Sequence, residues 1–107
     1  MKNYTEDEVY ELALKRLADI FSISELTLKP EMRFGKDLKS IKASGFKYNE
    51  FDRVLFDIED LSSRKMYKKL EKGEVKINTV DDYCNFIISC YFCCSSSVEA
   101  SFREWFE

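Results

Sequence analysis

Apolar side chains recur at helical spacing along most of this chain, in stretches divided by polar or turn-forming residues. Val9, Leu12, Ala13, Leu17, Ile20 and Phe21 share one face, which predicts a helix over Thr5 to Phe21. Thr5 with Glu8 forms a capping box at its start, and Glu6 and Asp7 sit at the positive end of its dipole. A second helix is predicted from about Tyr48 to Leu61 with Phe51, Val54, Leu55, Ile58 and Leu61 as its buried stripe. Glu50, Asp52, Asp57, Glu59 and Asp60 fall mostly off that stripe. Ser62-Ser63 offers an N-cap for a short helix through Lys69 or Leu70 that turns Met66, Tyr67 and Leu70 inward, and Gly73 is a suitable stop.

Val75-Lys76-Ile77 then reads as an extended connector, and Thr79 with Asp82 caps a further helix. That helix carries Val80, Tyr83, Cys84, Ile87, Ile88 and Tyr91 on one side and Phe86, Cys90 and Cys93 on another. A helix apolar nearly all round belongs at the centre of its fold. Ser95-Ser96-Ser97 breaks or re-caps the chain, after which Val98, Phe102, Trp105 and Phe106 predict a short amphipathic helix docked on the body. Residues 22–47 lack this periodicity, and Pro30, Gly35 and Gly45 interrupt them. So long a loop is usually functional or held by its own packing, for which Leu26, Leu28, Met32, Phe34, Leu38 and Ile41 are candidates. A turn of helix is possible near Asp37 to Lys42.

The expected fold is therefore all-α: a small bundle of four to five helices with a long loop between the first two. The chain, 1–107, reads as one domain, with the bundle over about 5–94 and the C-terminal helix over about 97–107. Composition agrees. With 45% apolar residues, three Gly and one Pro, the chain can bury a core and is poorly suited to a turn-rich sandwich. There is no His, which removes the commonest general base and the usual non-thiol zinc ligand. No targeting segment is evident, and the most apolar stretch, Tyr83 to Cys94, is shorter than the roughly 20 residues a membrane span needs. A cytoplasmic location is expected.

Charge is sorted into blocks. Residues 1–28 carry net −3, 29–49 net +4, 50–60 net −4, 61–76 net +4 and 77–107 net −4. Such blocks are ordinarily solvated faces. The sharper reading is that the second helix shows an acidic surface to a basic protein partner, because complementary potentials speed encounter and select partners. Nucleic acid is disfavoured as a partner for the basic blocks, since the chain as a whole is net −3. Cys84, Cys90, Cys93 and Cys94 fall on one predicted helix, which cannot arrange four thiolates around a metal. They read as small buried hydrophobes in a reducing compartment.

Three segments together resemble a known family. Lys29-Pro30-Glu31-Met32-Arg33-Phe34-Gly35-Lys36-Asp37-Leu38 looks like a loop ending in an Asp-Leu pair, and Phe51 to Glu59 like an acidic recognition helix. Val75-Lys76-Ile77-Asn78-Thr79-Val80-Asp81-Asp82-Tyr83 matches the way a last helix is introduced by an extended Ile and a capping Thr. From Leu28 to Ile88 the chain resembles an acyl carrier protein, and within that group the carrier-like bacterial families of unknown function. The resemblance implies a bundle whose second helix binds partners. It also implies a phosphopantetheine arm on the serine of an Asp-Ser-Leu triplet. This chain has no such triplet and holds Gly45-Phe46-Lys47-Tyr48-Asn49 at the expected place. Ser40 follows Asp37-Leu38 about two residues too soon, and Ser44 comes too late.

The expected function is a non-enzymatic protein-binding domain without a cofactor or a metal. Its partner-binding candidates are Glu50, Asp52, Asp57, Glu59 and Asp60, with Phe46 and Tyr48 as aromatic anchors. An immunity-type inhibitor covering the basic active site of a cognate toxin is one function of this kind. The alternative is a divergent carrier bearing 4'-phosphopantetheine on Ser40 or Ser44.

Overall fold

The structure is a computed structural model and describes residues 4–38, 50–93 and 95–106. Among them are five α-helices: α1 (Glu6–Phe21), α2 (Glu50–Leu61), α3 (Arg64–Glu71), α4 (Val80–Cys93) and α5 (Ser95–Phe106). A single 3-10 turn, Glu25–Thr27, follows α1. The expected all-α bundle is what forms.

Local chemistry places the helix ends. Thr5 Oγ1 accepts from Glu8 N–H at 3.2 Å and Glu8 Oε1 accepts from Thr5 N–H at 2.9 Å, the reciprocal pair that starts α1. Thr79 and Asp82 do the same for α4, at 3.1 Å in both directions. Ser63 caps α3 by accepting from Met66 N–H. At the other end of α3, Gly73 takes φ 75°, and the N–H groups of Gly73 and Glu74 donate to the Leu70 and Lys69 carbonyls. That double closure needs a left-handed residue, so Gly73 ends the helix as its sequence position implies.

The apolar faces meet around α4, which packs against α1, α2 and α5. Val9, Ala13 and Leu17 of α1 and Tyr83, Cys84 and Ile87 of α4 are fully buried where the two helices cross. Each large side chain removed from water there contributes about 1.5–3 kcal/mol before entropy is counted. Val98 and Phe102 bury α5, while Trp105 and Phe106 are half-buried at its end. The central position expected for the most apolar helix is observed.

The long loop is tied to the start of α4 by backbone bonds. Val80 N–H donates to Met32 O at 2.9 Å, Asp81 N–H to Pro30 O at 3.0 Å, and Phe34 N–H to Asn78 O at 3.0 Å. Leu28 and Leu38 are buried and Met32 and Phe34 are half-buried against the core, as expected. Leu26 differs: it lies in the 3-10 turn and is 94% exposed, because a three-residue helix turns one of its side chains outward. Around Gly35 (φ 85°) the chain doubles back, with Gly35 N–H on Leu38 O and Leu38 N–H on Arg33 O. Ile41, most of the possible turn at Asp37 to Lys42, and the start of the second helix at Tyr48 lie outside the described residues.

Candidate functional site on the second helix

Helix α2 divides sharply into two faces. At about 100° per residue, Glu50, Val54, Asp57, Ile58 and Leu61 fall within one arc of about 100°, and all five are buried. Asp52, Leu55, Phe56, Glu59 and Asp60 fall on the opposite side. Leu55 is 56% and Phe56 42% exposed, Glu59 and Asp60 are exposed, and Asp52 is half-buried and has an interaction of its own.

Two expectations are corrected by this division. Glu50 and Asp57, read from sequence as exposed recognition carboxylates, are 0% and 3% exposed. Leu55, assigned to the buried stripe, stands outward among the acids. The cause is a polar connection to α1 and α4 that holds Asp57 inside. Arg16 grips the Asp57 carboxylate with both arms, Nε to Oδ2 at 2.8 Å and Nη2 to Oδ1 at 3.0 Å. Tyr83 donates its hydroxyl to Oδ2 from α4 at 3.3 Å. A buried carboxylate held by a fork and a phenol is satisfied in place, and turning it outward would strand the arginine.

The electrostatics follow this geometry. Burial pulls the Arg16 guanidinium down, but the hydrogen bond and charge of Asp57 outweigh it and leave the group above its ordinary value. Burial, then the Asp57 charge, pushes the Tyr83 hydroxyl well above the usual phenol range. The Arg16 guanidinium also lies 4.6 Å from the Trp105 ring centroid, so α5 roofs the pair with a cation–π contact. Sequence reasoning missed Arg16, Tyr83 and Trp105 as a unit. The available signal was spacing: Asp57 lies three residues after Val54 and four before Leu61, on the apolar arc.

Beside this unit, α2 and α5 bound a surface groove of about 340 Å³ lined by Arg53, Phe56, Asp60, Glu104 and Trp105, with the Arg16–Asp57 pair at its base. A second groove, of about 520 Å³, runs between α2 and α3 and is mainly apolar, with Phe51, Leu55, Tyr67, Leu70 and Ile77 among its walls. Tyr67, expected to point inward, is 42% exposed at this groove. On α3 and at its C-cap, Arg64, Lys65, Lys68, Lys69 and Lys72 fall within an arc of about 140°, and none has an ion pair among the described residues.

The other candidates have varied places. Cys84 and Cys90 are buried, as expected, and burial pushes the Cys84 thiol up to about 12. Cys93 is exposed instead, at the last turn of α4 beside Ser63 Oγ at 3.7 Å. Cys94, Phe46, Tyr48, Ser40 and Ser44 lie outside the described residues. Among the described residues no cluster of three or more His, Cys, Asp or Glu could hold a metal ion, and no helix is long and apolar enough to cross a membrane. No protein-family model, curated protein or solved structure matches the chain.

Proposed function

We propose that this chain is a non-enzymatic protein-binding domain whose working surface is the outward ridge of α2. The observation that carries the reading is the pairing of Leu55 and Phe56, both large and exposed, with the carboxylates of Glu59 and Asp60 on the same face. Apolar anchors amid like charge fit a basic protein surface: the charge guides and selects, and the anchors give the contact its lifetime. The bidentate Arg16–Asp57 bond fixes the back of the helix, so the ridge is held ready and little order is lost on docking. Glu50 and Asp57 are removed from the recognition set and act in the scaffold. An immunity-type inhibitor, masking the basic active site of a toxin, is the specific form of this function that we favour.

The test is recovery of a stoichiometric complex from the native host at low salt. The reading requires a basic partner that is released by salt and lost with Leu55→Glu or Glu59→Lys. Recovery of no partner, or of one indifferent to both substitutions, refutes it.

The α2–α3 groove favours a second reading. An apolar chain carried on a phosphopantetheine arm needs a sheltered apolar surface, and this groove offers one of about 520 Å³. We propose the divergent carrier, modified on Ser40 or Ser44, as the alternative. Intact mass after incubation with a phosphopantetheinyl transferase decides it, and an unshifted mass eliminates it.

A further inference from the structure

We infer that the groove between α2 and α5 is a socket for one cationic side chain, an arginine or a lysine, of the protein partner. The inference rests on the reading of α2 as a recognition surface and extends it to α5, which the sequence did not implicate.

Three features of the groove converge on a cation. The first is its charge. Arg16 and Asp57 neutralise one another at the base, which leaves Arg53 facing Asp60 and Glu104, a net charge of −1. Neither the Asp60 nor the Glu104 carboxylate has a hydrogen bond or ion pair with another described residue, and both residues are exposed, so both carboxylates face an incoming donor. The second is the wall. Phe56 of α2 and Trp105 of α5 line the same groove, and aromatic walls favour a cation whose flat or aliphatic parts they can cover. The molecule already contains this arrangement once, with the Arg16 guanidinium 4.6 Å from the Trp105 centroid and its fork on a carboxylate. The third is size. About 340 Å³ accommodates a long side chain and is small for a folded element. The socket also adjoins the ridge, since Phe56 and Asp60 belong to both.

Arg53 works against such a ligand, which gives the socket a test with a sign. Trp105 is the sole tryptophan of the chain, so its emission reports on this groove alone. We would titrate the protein with a nine-residue oligoarginine peptide and follow Trp105 fluorescence, after thermal melts confirm that each variant is folded. The socket requires a saturable change in emission. It requires at least a tenfold loss of affinity in the Asp60→Asn/Glu104→Gln double variant, and a severalfold gain in Arg53→Gln. Glu11→Gln, an exposed carboxylate on α1 that lines a different groove, should stay within twofold of the parent.

No change in Trp105 emission overturns the inference. So does an equal loss in Glu11→Gln, which would mean diffuse attraction to an acidic surface. A native partner that is lost with Leu55→Glu but retained by the Asp60→Asn/Glu104→Gln variant also overturns the socket, while leaving the α2 ridge as the docking surface.

Discussion

Replacing Arg16 with Met keeps most of the aliphatic stem and deletes the charge, and its consequence can be worked from the structure. The Asp57 side chain is 5% exposed and would retain only the Tyr83 hydroxyl at 3.3 Å. Breaking a buried ion pair from one side costs about 3–5 kcal/mol, because the remaining charge has neither water nor a counter-ion. The Arg16 side chain is 16% exposed, so some water can reach the gap, and the lower end of that range applies. Loss of the contact with Trp105 adds about 0.5–1 kcal/mol. A domain of this size is held by roughly 5–15 kcal/mol, so a total of about 4 kcal/mol is a large share of it. At about 4–8 °C per kcal/mol, the melting temperature falls by roughly 16 °C or more.

Urea and thermal melts followed by circular dichroism measure this, and a companion variant separates the cause from general disruption. Arg16→Met/Asp57→Leu removes both charges, and should recover to within about 1 kcal/mol of the parent, since a dry apolar pair fills the space of the ionic one. A loss below about 1 kcal/mol in the single variant, or a double variant less stable than the single, refutes a scaffold role for Asp57. In that case its carboxylate returns to the list of partner contacts.

Three further outcomes are expected. Because burial raises the Cys84 thiol from 9.0 to about 12, the stability it supports is complete below about pH 9 and declines as pH rises toward 12, by about 4 kcal/mol at most; denaturant melts from pH 8 to 11 should show that decline. Alkylation of the folded protein at pH 8 should mark Cys93 and spare Cys84 and Cys90, and equal labelling of all three would contradict the buried placement. Gly73→Ala should cost about 1 kcal/mol through its φ of 75° alone, since a Cβ there meets nothing within 4 Å. A neutral result in thermal melts would mean that α3 ends without its left-handed turn.

Helix identity and helix ends were legible in the sequence because they are set by neighbours a few residues apart. Thr5 with Glu8, Thr79 with Asp82 and Ser63 with Met66 each act within a single turn, and the structure shows each bond. The two faces of α2 were half legible. Spacing alone puts Asp57 on the arc of Val54 and Leu61, but a carboxylate is buried only when something far along the chain satisfies it. Arg16 does so from 41 residues away, and nothing local to either residue announces the other. The same long-range pairing turned Leu55 outward: with Asp57 rotated into the core, the side of α2 that carries Leu55 must face water. The groove beside Trp105 was illegible for a similar reason, since it exists only where α5 lies over α2 and α1. Leu26 and Tyr67 were misplaced by short elements, a three-residue turn and an eight-residue helix, whose apolar residues outnumber the positions they can bury.

The join between the long loop and α4 has a consequence for what this fold can hold. A helix ordinarily begins with bare amide groups and a positive pole, which makes its first turn a ready seat for phosphate. In α4 those donors are already taken. Thr79 N–H goes to Asp82, Val80 N–H to Met32 O, Asp81 N–H to Pro30 O and Asp82 N–H to Thr79 Oγ1. The side chains of Asp81 and Asp82 add negative charge at the same place, and Tyr10 and Asn85 donate to the first of them. The most buried helix of the domain thus presents a sealed and acidic end. A phosphate group is shut out there, so the start of α4 offers no seat for an anion.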